Sequence, residues 1–338
     1  MKSQKNALIV GVTGQDGALL ADFLFKCGFQ VSGTYRSASN NLWRLEELDL
    51  IEKVKLYEYT IGDSQFSLRE IVKNGFDFIF YLAGDSYTQD SFKHPILTLN
   101  TNVGGCLEVL NSVELYSPET KIFLASSSEV FGNQKENIVV NENTMRNPGN
   151  PYGIAQSNVL DLANIYRKRN LDISVGILFN HESPFRSPQF LTRKIVSGLV
   201  KMLRGQLEYI ELGNLNSARD WGNAKEFVIA FKDILEKSSN QNYVVATGKT
   251  IKVKEIFEIA ANVLGFQPVF EGKNENEICY DKQTGRILMK SSPKFYRKFD
   301  TPALIGDANK LLNAIGWQPK SDVVKLMTEM CEYERDFR

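Results

Sequence analysis

The chain has 338 residues, 43% apolar and 24% charged, with forty basic side chains balancing forty acidic ones; this is an ordinary globular composition, long enough for two domains or one large one. Zero formal net charge removes the electrostatic footprint of a nucleic-acid or anionic-membrane binder, and no apolar run approaches the roughly 18 residues that would span a bilayer. Four scattered cysteines (Cys27, Cys106, Cys279, Cys331) and two histidines (His94, His181) point to neither a disulfide framework nor a metal site, and the apolar stretch 7–10 is too short for a signal peptide, so the expectation is a cytoplasmic chain.

The first apolar run, 7–10, meets Gly11-Val12-Thr13-Gly14-Gln15-Asp16-Gly17, after which Leu19, Leu20, Phe23 and Leu24 recur at helical spacing. This reads as strand, glycine turn, helix. Further strands are expected at 30–35, 54–57, 77–83, 122–125 and 172–179, with helices at 64–73, 97–113 and 152–168 between them. Strand and helix in alternation predict an α/β fold, a doubly wound parallel sheet of the Rossmann kind, with a smaller mixed α/β lobe after it. The expected division is a dinucleotide-binding domain over 1–180 and a lobe over 181–338 that mainly binds substrate, with a segment near 219–248 returning to the first domain. In the second half, 181–188 reads as a Pro-containing loop, 190–204 as a helix and 271–294 as loops. No internal repeat or low-complexity linker interrupts the chain.

Gly11, Gly14 and Gly17 are spaced as G-x-x-G-x-x-G, the spacing of extended short-chain dehydrogenases. Glycines there let the backbone approach a diphosphate, whose charge the helix N-terminus meets. An NAD enzyme commonly closes its second strand with an acidic residue, whereas a cation accommodates a 2′-phosphate. Here the strand closes with Thr34-Tyr35-Arg36-Ser37, so Arg36 is either a solvated surface cation or a phosphate partner, and NADP is favoured over NAD. Asp63, after the third strand, is either a turn residue or an adenine contact.

Ser126-Ser127-Ser128-Glu129 follows the strand at 122–125, at the carboxyl edge where open α/β sheets bind ligands. Asn150-Pro151-Tyr152-Gly153 opens a helix and puts Tyr152 in its first turn. Together they resemble the Ser/Thr and Tyr pair of short-chain dehydrogenases. Plain oxidation of a hydroxyl needs a tyrosine-type acid/base and a hydride acceptor; Glu129 adds a second proton-transfer group, unless it caps a helix or pairs with Arg146. A carboxylate that abstracts the proton beside a new ketone and expels a hydroxyl is the chemistry of a sugar 4,6-dehydratase.

These residues resemble the GDP-mannose 4,6-dehydratase family through most of the chain: the cofactor loop 11–17, Ser126-Ser127-Ser128-Glu129 with Ser127 where the family usually has threonine, the segment 176–184, and Arg219-Asp220-Trp221-Gly222 followed by Ala224-Lys225. The resemblance implies that Thr13, Gln15, Asp16, Leu82, Ala83 and His181 join the glycines and Tyr152 around the cofactor. It further implies that Ser86, Ser128, Asn180, Glu182 and Arg186 line the cleft and that Lys194, Arg219 and Arg297 meet the phosphates of a GDP-sugar, for which arginine's fork and lysine's point charge are suited. A homo-oligomer is implied as well.

Three departures stand out. The family's Tyr-x-x-x-Lys reads Tyr152-Gly153-Ile154-Ala155-Gln156, so Gln156 replaces the lysine that holds the ribose and lowers the tyrosine pKa; a second arginine after Arg36 is Ser37; and Leu-Ala-Ala-Gln reads Leu82-Ala83-Gly84-Asp85. The function expected is an NADP-dependent dehydratase of a GDP-hexose. A 4-epimerase or keto-reductase would leave Glu129 idle, and a weakly active or non-catalytic nucleotide-sugar binder is the reading Gln156 suggests.

Overall fold

The computed structural model describes residues 4–36, 41–62, 68–135, 137–296 and 302–336. Asp63, Arg297 and Ser37 therefore lie outside the described residues. Continuous apolar runs, with no polar alternation, are what strands buried on both faces require, and β1 (Asn6–Val10) and β4 (Phe78–Tyr81) show it. Between them in the chain lie β2 (Gln30–Tyr35) and β3 (Lys55–Glu58); β5 (Lys121–Ser127) and β6 (Ile138–Val140) follow. Next come β7 (Ile173–Leu178), β8 (Asn180–Glu182), β9 (Ile210–Leu212), β10 (Ala218–Asn223) and β11 (Asn242–Val245).

Seven strands form one sheet in the order β11-β7-β5-β4-β1-β2-β3, every pair parallel. The strand order reverses between β1 and β4, the switch point at which such sheets open a crevice. One face is covered by the helices Leu68–Val72, Gly105–Tyr116 and Pro151–Arg167. The other carries Gln15–Lys26 and Ala224–Lys237, where Phe123 of β5 stacks on Phe231 at 4.5 Å. A third apolar cluster joins the helices Leu191–Leu203, Val253–Val263 and Val323–Asp336 over the second lobe's strands.

The structure revises three local expectations. The helix expected over 97–113 is broken into Pro95–Leu99, a π-turn Asn100–Gly104 and Gly105–Tyr116. The stretch read as loops at 271–294 contains two antiparallel strands, Ile278–Asp281 and Ile287–Ser291, joined through Gly285 at φ +69°; each is too short for its alternation to register as a period. The start of 181–188 is not loop either, because β8, which contains His181 and Glu182, pairs in parallel with β10 in a separate three-stranded sheet.

Candidate active site

At the end of β1 the chain turns at Gly11, whose φ of +95° few other residues tolerate. A Cβ there would stand 2.9 Å from the backbone of Ala83, and one at Gly17 would stand 2.2 Å from the Gly11 carbonyl. Gly14 caps the helix Gln15–Lys26 without a side-chain partner for its first amides. The resulting cradle, with amide donors unclaimed by a cap, fits the diphosphate of a dinucleotide. Arg36 stands exposed immediately after β2.

The loop is anchored from behind. Gln15 donates to the His181 carbonyl at 3.1 Å and accepts from Ser183 Oγ at 2.9 Å. Asp16 meets His181 Nε2 at 2.8 Å, while His181 Nδ1 lies 2.7 Å from the Phe179 carbonyl and the ring stacks on Phe227 at 4.7 Å. Burial works against both charges, yet mutual attraction and the hydrogen bond leave His181 above its ordinary pKa and Asp16 below it. Thr13 contributes its carbonyl to Arg44, which is only 3% exposed and also donates to the Phe185 carbonyl at 2.8 Å and to Ser187 Oγ at 3.3 Å. Burial lowers the Arg44 pKa to about 10.

Beside this cradle a cavity of about 840 Å³ opens at the carboxyl edge of the sheet. Ser127, Glu129, Tyr152 and Gln156 all line it. So do Asp16, Leu82, Ala83 and His181 on the cradle side, and Ser86, Ser128, Asn180 and Glu182 further in. Arg186, Lys194 and Arg219 bring positive charge to the wall formed by the second lobe.

The helix Pro151–Arg167 starts where Asn150 Oδ1 accepts from the Gly153 amide at 2.8 Å and proline takes the first position, where its missing N–H costs nothing. Gly153 is required because a Cβ would come 2.6 Å from the Glu129 carbonyl. Asn150 Nδ2 donates to Glu129 Oε2 at 2.7 Å. Arg146 is turned elsewhere, to Asp161 at 2.6 Å. Burial pushes the Tyr152 hydroxyl up to about 12, against which the Ser127 side chain, in hydrogen-bonding reach, works downward while the Glu129 charge works upward. Ser127 Oγ accepts from the Glu129 amide at 3.2 Å, fixing the turn that presents both side chains. Gln156, one helical turn beyond Tyr152, donates from Nε2 to Asn102 Oδ1 at 3.0 Å.

On the opposite wall Glu182 is held by Thr192 Oγ1 at 2.5 Å and lies 3.3 Å from Arg186, whose guanidinium rests 3.6 Å from the centre of the Phe190 ring. Lys194 donates to the Glu211 carbonyl at 2.7 Å and sits over the Phe295 ring; burial lowers its pKa. Arg219 donates to the Ala218 carbonyl at 2.7 Å. Arg44 and Asn102 escaped the sequence reading, which noted Gly84 only as a departure from the family pattern. The glycine at 84 in an otherwise apolar strand end was the one available signal, since isolated glycines there mark a close approach.

A parallel sheet with a glycine-rich first turn and a Ser-Tyr pair at its carboxyl edge defines the class of extended short-chain dehydrogenase folds. Residues 8–330 match the family model described as GDP-mannose 4,6 dehydratase. The chain belongs to that family. It is 36% identical to the GDP-mannose 4,6 dehydratase of Drosophila melanogaster, over 96% of this chain and 85% of the relative. It is 35% identical to the GDP-mannose 4,6-dehydratase of Sinorhizobium fredii, over 98% and 96%. Among solved structures, the dTDP-glucose 4,6-dehydratase of Bacillus anthracis in complex with NAD superposes with a TM-score of 0.79 over 98% of this chain and 97% of that one at 20% identity, a likeness of fold. No helix among the described residues is long and apolar enough to cross a membrane.

Proposed function

We propose that the chain dehydrates a GDP-hexose, GDP-mannose or a close relative, to its 4-keto-6-deoxy derivative. The observation that carries this is the convergence of Ser127, Glu129 and Tyr152 on one cavity, with the Glu129 carboxylate oriented by Asn150. A bound nicotinamide dinucleotide supplies a hydride acceptor for carbon 4 and afterwards a hydride donor for carbon 6. Tyr152, assisted by Ser127, takes the proton of the carbon-4 hydroxyl. The resulting ketone acidifies the carbon-5 proton, and Glu129 removes it. Glu129 then hands that proton to the carbon-6 hydroxyl, which leaves as water, and the proton held by Tyr152 is the one available to carbon 5 when carbon 6 is reduced, so both side chains end as they began.

NADP is the dinucleotide we assign, because Arg36 closes the second strand where a 2′-phosphate would lie. Residues 1–180 hold it, and most of 181–338 holds the sugar nucleotide, with Lys194, Arg219 and Arg297 on its phosphates. Exposed Phe92, Ile96, Leu97 and Ile154, on neighbouring helices, support a homo-oligomer, which sedimentation checks directly.

Mass spectrometry of products from a panel of GDP-, dTDP-, UDP- and CDP-sugars tests the reading. Loss of one water from a GDP-hexose without net dinucleotide consumption is expected. Unchanged mass with a changed sugar would identify an epimerase, and stoichiometric NADPH consumption a reductase. Tight dinucleotide binding without turnover is the outcome favoured if Gln156 cannot support Tyr152.

A further inference from the structure

Among the described residues β3 is the last strand of the parallel sheet and has a neighbour on one side only. The turn that follows it, 59–62, is nevertheless held at both ends. Tyr59 N donates to the Tyr35 carbonyl at 2.9 Å, immediately before Arg36. The other grip comes from Glu108, in the first turn of the helix Gly105–Tyr116. Its Oε2 accepts from the Tyr59 hydroxyl at 2.5 Å and its Oε1 from the Gly62 amide at 2.8 Å. One carboxylate, 49 and 46 positions along the chain from its two partners, thus spans the turn.

Both bonds are of the stronger kind, because their acceptor is ionised. Tyr59 is 3% exposed, and burial together with the adjacent carboxylate holds its hydroxyl far above the ordinary tyrosine value, so it stays a donor at every working pH. Packing seats the same turn. A Cβ at Gly105 would come 2.8 Å from Ile61 Cδ1 and 2.2 Å from the Tyr81 hydroxyl; the bare helix backbone there lets Ile61 lie beside Tyr81, the last residue of β4.

A dinucleotide whose diphosphate lies on the glycine turn extends its adenosine half toward the end of the second strand. Arg36 stands there, and the turn 59–62 is bonded to the residue just before it. A turn left to order itself around a ligand takes that cost out of the affinity, whereas one already fixed does not. On the reading that residues 1–180 hold the dinucleotide, we propose that Glu108 is a positioning residue: by holding the Tyr59 hydroxyl and the Gly62 amide it presets the turn 59–62 as the wall against which the adenosine half lies.

NADPH, 2′,5′-ADP as the adenosine half alone, and GDP as a probe of the sugar-nucleotide site are titrated calorimetrically with wild type, Glu108→Ala, Glu108→Gln and Tyr59→Phe. Glu108→Ala should weaken NADPH and 2′,5′-ADP by the same factor, about tenfold, and leave GDP unchanged. Glu108→Gln keeps an oxygen for the Gly62 amide and should recover most of that loss, which a general loosening of the fold would not predict. Tyr59→Phe keeps the ring and removes the hydroxyl; it should weaken the same two ligands by a smaller factor, and it carries the test if Glu108→Ala does not fold. Equal losses for GDP, a loss for NADPH that 2′,5′-ADP does not share, or a glutamine no better than alanine would overturn the inference. Wild type that binds neither NADPH nor 2′,5′-ADP overturns the proposed dinucleotide; wild type that binds both while its variants bind equally well overturns this inference alone.

Discussion

Asn150 ties Glu129 to the helix that carries Tyr152: one end of its amide caps the helix at Gly153, and the other donates 2.7 Å to the Glu129 carboxylate. The two groups proposed to transfer protons are therefore held in register by one side chain, itself 8% exposed. Replacing Glu129 by glutamine keeps shape and hydrogen-bonding capacity but removes the base. Glu129→Gln should bind dinucleotide normally and show transient NADPH absorbance, while release of the deoxy product falls about 100 to 10,000-fold. Near-normal dehydration by this variant would remove Glu129 from the mechanism.

On the proposed assignment, Arg36 selects NADP over NAD. Losing one charge-assisted contact to a phosphate costs about 1.5 to 3 kcal/mol, so Arg36→Ala should weaken NADP by that much and NAD hardly at all. Fluorescence titration of both forms decides it, and an equal loss for the two would count against the assignment.

Tyr152 faces a larger barrier than a solvent-exposed tyrosine. With its hydroxyl pushed up to about 12 by burial, roughly one molecule in 10⁵ carries the phenolate at pH 7. No cation occupies the position of Gln156 to offset this. The rate should continue to climb above pH 8, and Gln156→Lys should turn over faster at neutral pH with its profile displaced downward. A wild-type rate flat from pH 6 to 9, with no gain from the lysine, would show that tyrosine ionisation does not limit the reaction.

The His181–Asp16 pair makes stability depend on pH. His181 is raised on folding, so its contribution is complete below the unfolded value of about 6.5 and is lost as pH climbs through the raised one. Asp16 is lowered, so its share is complete above the unfolded value and is lost as pH falls through the depressed one. The pair is worth most between those limits. His181→Asn should cost about 1 to 3 kcal/mol near pH 6 and progressively less at alkaline pH. Urea denaturation from pH 5 to 9 measures this, and parallel curves for the two proteins would contradict it.

The parts of the molecule that were legible in its sequence share a local cause. β1, β5 and β7 carry apolar runs of the kind that sheet burial on both faces demands, and the turn at Gly11 and the helix start at Asn150-Pro151 are written in adjacent residues. What stayed hidden depends on residues far apart in the chain. Asn102 meets Gln156 across 54 positions and Arg44 meets Phe185 across 141, and no periodicity encodes such partners. The hairpin Ile278–Ser291 escaped because its strands are short and half-exposed. Glu129 was recognisable as a candidate base, but its orientation by Asn150 needed the fold.

Arg44 gives the glycine turn a mechanical property. Its guanidinium grips the Thr13 carbonyl on one side and the Phe185 carbonyl and Ser187 hydroxyl on the other, so the turn cannot swing away without stripping a partner from a cation sealed inside the protein. Such a rivet fastens the glycine turn to the segment 185–187, so those two stretches of chain are held as one piece.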